Sequence, residues 1–194
     1  MFREISVEAL TQNPFTSIGG ELILVSAGNS RGFNAATTSW GALGRLWDKP
    51  VVTVYLNPQG GTIKYMDAVD RFAVSFFDPE HRDALRAGGI NPGRRHRGLW
   101  APFAFLLTFV LSKFGYKERL KPMYITDVID AVTFQQASMV LICKKLYNAP
   151  LGEDGFTVKG FGEEYCSNGI VHTLYIGELL KVLIRMDKYT LHCS

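Results

Sequence analysis

The chain has 194 residues, 47% hydrophobic and 20% charged, with a net charge of +3. That length suits a single domain, residues 1–194, with a core that needs no disulfides, and so weak a positive charge gives no reason to expect a nucleic-acid partner. Three cysteines, Cys143, Cys166 and Cys193, with no CxxC spacing, argue against a disulfide framework or a zinc site and suit a reducing, cytoplasmic compartment.

The opening, MFREISVEAL, holds no apolar stretch of the signal-peptide kind. Residues 3–10 predict a short helix capped by Ser6 and broken at Asn13-Pro14. Glu21 to Ser26 reads as a buried strand, and Ala27 to Gly32 as turn chemistry. The strand resumes at Phe33 and runs into Thr37-Thr38-Ser39. Val51 to Leu56, β-branched and introduced by Pro50, is the clearest strand. Asn57 to Thr62 is a loop, with Thr62 capping a helix over Ile63 to Val69. Arg71 to Phe77 is a strand. Asp78-Pro79 starts a helix by a capping residue followed by proline, and Gly88-Gly89 ends it. Val132 to Leu146 and Ile170 to Leu183 predict two long strands, joined by a glycine-rich polar connection over 148–169. Cys143 falls in the first and reads as a small core residue.

Many strands joined by turns, without regular alternation with long helices, favour an antiparallel barrel over a doubly wound parallel sheet. GxGxxG after a strand, GxxxxGK[ST] and HExxH are all missing. Leu99 to Tyr116, LWAPFAFLLTFVLSKFGY, is almost wholly apolar. Pro102 and Lys113 leave it short for a membrane span, so a buried helix or a helix against a second subunit is expected.

The run Phe33 to Gly41 carries the chemistry. Thr37, Thr38 and Ser39 offer hydroxyl donors, and Trp40 a large apolar wall. Around it, Phe2 to Ser6, Asn13-Pro14-Phe15, Thr37 to Gly41, Leu46 to Pro50, Asn57-Pro58-Gln59, Thr62, Tyr65-Met66, Ser75 to Asp78, Leu146-Tyr147 and His172 to Glu178 follow one another in a characteristic order and spacing. In this it resembles the flavin reductase-like proteins with an FMN-binding split barrel, the group that includes flavoredoxin. The similarity spans most of residues 2–90 and 131–184.

The resemblance implies a mainly β protein: an antiparallel six-stranded split β-barrel with short helices and a helical excursion around residues 99–120. It implies a homodimer with FMN near the subunit interface and an oxidoreductase activity fed by NAD(P)H, with an electron-transfer protein as a further candidate partner. By position, Thr37, Thr38, Ser39 and Trp40 would line the flavin, and Asn57, Gln59 and Thr62 would hold its ribityl chain and phosphate. His172 would bond the flavin or the nicotinamide carboxamide; a structural histidine at a strand end is the other reading. Trp47 is expected in the core.

The chain also departs from the pattern. Asn57 stands where an arginine is usual, Gly60 and Gly61 where bulky or basic residues are usual, and Arg95 where an Asp often follows the Gly-Arg pair. An arginine binds phosphate by a charged, bidentate contact that Asn cannot make. Arg94 is the candidate to supply that charge.

Overall fold

A computed structural model describes residues 1–20, 22–86, 120–125, 131–166 and 170–186. The segment 99–116, Gly88-Gly89 and Arg94 and Arg95 lie outside them.

The described chain is mainly β. Strands β1 (Phe2–Ile5), β2 (Ile23–Asn29), β3 (Gly32–Thr38), β4 (Gly41–Leu46), β5 (Lys49–Leu56), β6 (Arg71–Phe76), β9 (Met139–Pro150) and β10 (Thr173–Arg185) form one eight-stranded sheet. Its order is β3-β2-β6-β9-β10-β5-β4, with β1 added on β10, and every pairing is antiparallel. Strands β7 (Pro122–Ile125) and β8 (Ala131–Phe134) pair separately. Short helices α1 (Pro14–Ser17), α2 (Thr62–Ala68), α3 (Arg82–Arg86) and α4 (Phe161–Tyr165) fill connections.

The sheet therefore holds eight strands rather than the expected six, and among the described residues its hydrogen-bonded path ends at β3 and β4 without closing. Strand β10 explains the extra member. Its first half, Thr173 to Glu178, pairs with β5, and its second half, Val182 to Arg185, takes β1 on the same side. Two register shifts against β9, at Ile176/Gly177 and Leu179/Lys181, bend it between these partners. Gly177 sits at the first. A Cβ there would lie 2.6 Å from the Phe72 ring and 2.8 Å from the Cys143 Cβ.

Strands β2 and β6 and the first half of β9, Met139 to Cys143, are buried on both faces, which is why these stretches are mostly apolar, with only Ser26 and Ser75 as polar side chains in their buried parts. Ile23, Val25, Phe72, Val74, Leu141 and Cys143 face one core with Met66 of α2 and Tyr175 of β10. Leu24, Ala73, Val140 and Ile142 face a second, under Val132 and Phe134 of β8. Hydroxyls tie β8 to the sheet: Ser26 Oγ donates to the Val132 carbonyl at 2.6 Å, and Ser75 and Thr133 share a 2.8 Å bond. These bonds satisfy polar groups that would otherwise be costly to bury.

Several local expectations are corrected. Residues 2–5 form an edge strand instead of helix, since pairing to β10 outweighs the weak helical preference of so short a segment; a 3-10 turn follows at Val7–Ala9, where Ser6 makes no side-chain cap bond. Ala27 to Asn29 belong to β2, leaving Ser30-Arg31 as the tight turn. The long strand from Val132 breaks at Gln135 to Ser138, where Ala137 N–H bonds Phe134 O and Ser138 N–H bonds Phe76 O. Asp78 makes no side-chain cap bond; its carboxylate takes a 3.0 Å ion pair from Arg185. Trp47 is 72% exposed. It sits with Asp48 in the two-residue turn between β4 and β5, both at positive φ (49° and 59°). That is the type I′ geometry a twisted hairpin prefers, and a hairpin tip has no core beneath it.

Candidate functional site

Three chain segments meet at one end of the sheet. Strand register brings them together. Thr173 pairs with Leu56, so His172 falls one step beyond, opposite Asn57. Gly41 pairs with Val54, which sets Trp40 level with Tyr55. Gly41 is required by this crowding: a Cβ on it would stand 2.7 Å from the Thr53 carbonyl oxygen. The C-terminal end of β3 completes the wall.

The result is a cleft of about 310 Å³ lined by Leu22, Ala36 and Thr37 to Trp40, by Tyr55 to Asn57, and by Gly60, Thr62 and His172. Seven of the nine candidates thus share one cavity: Thr37, Thr38, Ser39, Trp40, Asn57, Thr62 and His172. Gln59 does not line it. Its side chain is exposed, and its backbone N–H donates to Asn57 Oδ1 at 2.9 Å. Arg94 is outside the described residues.

Each lining group has a local cause. Thr38 Oγ1 accepts the Trp40 N–H at 3.1 Å, which fixes the bend after β3 and leaves the hydroxyl proton for another acceptor. The Asn57 side chain and the Gly60 N–H to Asn57 O bond (3.0 Å) hold the loop as a tight turn. Thr62 is buried and is the first residue of α2 rather than its cap, the cap position being Gly61. Seven residues make a weak helix dipole, so hydroxyl and loop amide groups dominate this end of the cleft. The rings of Trp40 and His172 meet edge to face, with centroids 4.9 Å apart and planes at 71°. Glu178, further along β10, is occupied by Lys49 at 2.6 Å.

Trp40, Tyr55 and His172 also line a second, apolar cavity of about 250 Å³, an annex completed by Leu151, Phe156 and Cys166. The Leu151 N–H bonds the His172 carbonyl at 2.9 Å, and the Cys166 thiol donates to the Leu151 carbonyl at 3.5 Å. Sequence reasoning missed these three residues. They sit in the glycine-rich connection after β9, where no periodicity marks a face, and only the pairing of Leu151 with His172 brings them to the site.

The architecture is a flavin reductase-like fold. No protein-family model matches the chain, and no curated protein is similar in sequence. Solved structures do match. The FMN-binding domain of a flavin reductases-like enzyme from Shewanella baltica aligns with a TM-score of 0.59 at 13% identity, over 98% of this chain and 81% of its own. Flavoredoxin from Methanosarcina acetivorans aligns with a TM-score of 0.55 at 12% identity, over 86% and 69%. An NADH:FAD oxidoreductase from Streptomyces globisporus gives 0.52 at 15% identity, over 84% and 80%.

Proposed function

We propose that the protein is an FMN-binding oxidoreductase of the flavin reductase type, taking hydride from NAD(P)H and passing it to a flavin or another acceptor. One observation carries this reading. A single cleft joins the hydroxyls of Thr37, Thr38, Ser39 and Thr62 and the Asn57 amide to the Trp40–His172 wall, in a fold shared with FMN-binding proteins.

The donor set fits such a cofactor. Hydroxyls and a side-chain amide suit the polar edge of a flat heterocycle and a polyol chain, while Trp40 offers apolar area to the ring. Gly60 lets the turn close tightly, since a Cβ there would stand 3.1 Å from the Asn57 carbonyl oxygen. His172 would donate a ring N–H to a carbonyl of the flavin or of the nicotinamide carboxamide. FMN, when bound, supplies the hydride and electron chemistry, and the protein's part is to bind, orient and tune. Among the described residues no Lys or Arg lines the cleft, so we assign the phosphate's counter-charge to Arg94.

We further propose a cytoplasmic homodimer, whose partner would cover large surface side chains such as Phe15 (86% exposed). Light scattering that shows only monomer at micromolar concentration would refute the dimer. No helix among the described residues is long and apolar enough to cross a membrane.

The purified protein should show the absorbance bands of oxidised flavin, bleached by NADH or NADPH. Bound flavin with no nicotinamide oxidation would instead make it an electron carrier. The same shortage of lining cations favours one further reading, a binding module that has lost flavin; a colourless protein that takes up no added FMN would establish it.

A further inference from the structure

We propose that the annex lined by Leu151, Phe156 and Cys166 binds a neutral, planar aromatic carbonyl compound of the small-quinone class. As the electron acceptor this compound rests on the oxidoreductase reading; as a ligand it does not.

The argument starts from size. An apolar cavity of about 150 Å³ holds benzene, so about 250 Å³ accommodates a substituted ring. Shape comes next: Trp40, Tyr55 and Phe156 present aromatic surface, and Trp40 and His172 stand edge to face on one wall. Charge then narrows the class. The described lining holds no Asp, Glu, Lys or Arg, so a charged ligand would lose its hydration without gaining a partner. The Cys166 thiol is already directed at the Leu151 carbonyl. His172 lines both cavities, so the ring N–H that meets a flavin or carboxamide carbonyl in the cleft meets the quinone carbonyl when the annex is filled instead. The annex and the polar cleft share Trp40, Tyr55 and His172 as lining residues, so a ring held in the annex lies within one side chain of whatever occupies the cleft. The net reaction balances as quinone plus NAD(P)H plus one proton giving hydroquinone plus NAD(P)⁺. The quinone gains a hydride equivalent and a proton from water, and the nicotinamide is oxidised.

Calorimetry with duroquinone tests the site. Its four methyl groups block addition of a thiol to the ring, so Cys166 cannot give a false positive. Wild-type protein should bind one duroquinone per chain and benzoate at least tenfold more weakly. Leu151→Trp, which fills the annex alone, should weaken duroquinone binding at least tenfold and leave the FMN dissociation constant unchanged. Leu151→Phe serves if the larger ring impairs folding, judged by circular dichroism. No binding of duroquinone by wild type, equal binding by the variant, or benzoate binding as tightly would overturn the proposal. FMN titration run in parallel separates the two readings. Duroquinone bound without FMN would sink the flavin function and leave the annex assignment standing; FMN bound without duroquinone would do the reverse.

Discussion

Trp40, at the bend between β3 and β4, and His172, just before β10, hold their rings edge to face at 4.9 Å. Neither is adjacent to the other in a strand pair. They meet because β5 pairs with β4 on one side and β10 on the other. Both rings line the polar cleft and the apolar annex alike.

This contact should be measurable. A double-mutant cycle of Trp40→Ala and His172→Ala, read by urea denaturation, should give a coupling of about 0.5–1.5 kcal/mol. The low end is expected because Trp40 is half exposed. Strict additivity would mean that the rings are neighbours without an energetic link.

Thr62 tests the polar half. Its side chain is buried at the head of α2 and lines the cleft. Thr62→Val keeps the volume and removes the hydroxyl, so FMN affinity should fall by about 0.5–1.5 kcal/mol. Fluorescence titration showing unchanged affinity would remove Thr62 from the binding set.

Arg94 tests the counter-charge. Arg94→Ala should weaken FMN binding by about 1.5–3 kcal/mol, the usual worth of a hydrogen bond to a charged group. Riboflavin, which lacks the phosphate, should bind almost as before. Equal losses for both ligands would show that Arg94 does not meet the phosphate.

Gly177 is a packing requirement. Gly177→Ala would drive a methyl group to within 2.6 Å of the Phe72 ring, which is buried and cannot swing away. Stability should fall by about 1–3 kcal/mol. Gly44→Ala, where nothing lies within 4 Å, is the control. A Gly177→Ala midpoint matching the control would mean that β10 can shift to make room.

Burial pushes the Cys143 thiol well above its ordinary range. The sign follows from proton binding. Above about pH 8.5 the unfolded thiol ionises while the folded one stays protonated, so the unfolded state gains and stability falls as pH rises. The loss should approach about 1.4 kcal/mol per pH unit from this group. Tyr175, raised by burial and then by the Asp67 carboxylate it bonds at 3.1 Å, adds a further decline above about pH 10. Denaturation midpoints at pH 8 to 10 should show a shallower decline in Cys143→Ala than in wild type. Parallel profiles would locate the alkaline loss elsewhere.

Elements with a local cause could be read from their own residues. Strands β5 and β6 are legible from β-branched and apolar runs, and the loop from Asn57 to Gly61 from its turn residues. Thr37 to Trp40 could be nominated together because they are consecutive, and consecutive residues at a strand end stay together in any fold. Tertiary structure decided what depends on distant partners. Phe2–Ile5 became a strand because β10 offered an edge. Trp47 went to solvent because the β4–β5 hairpin turns there, not because of its own hydrophobicity. The annex exists because the register of β10 sets His172 against Trp40 on one side and Leu151 on the other. Such pairings are chosen by burial summed over whole strands, and a one-residue slip would turn each side chain to the opposite face. No local pattern around Leu151, Phe156 or Cys166 records that choice.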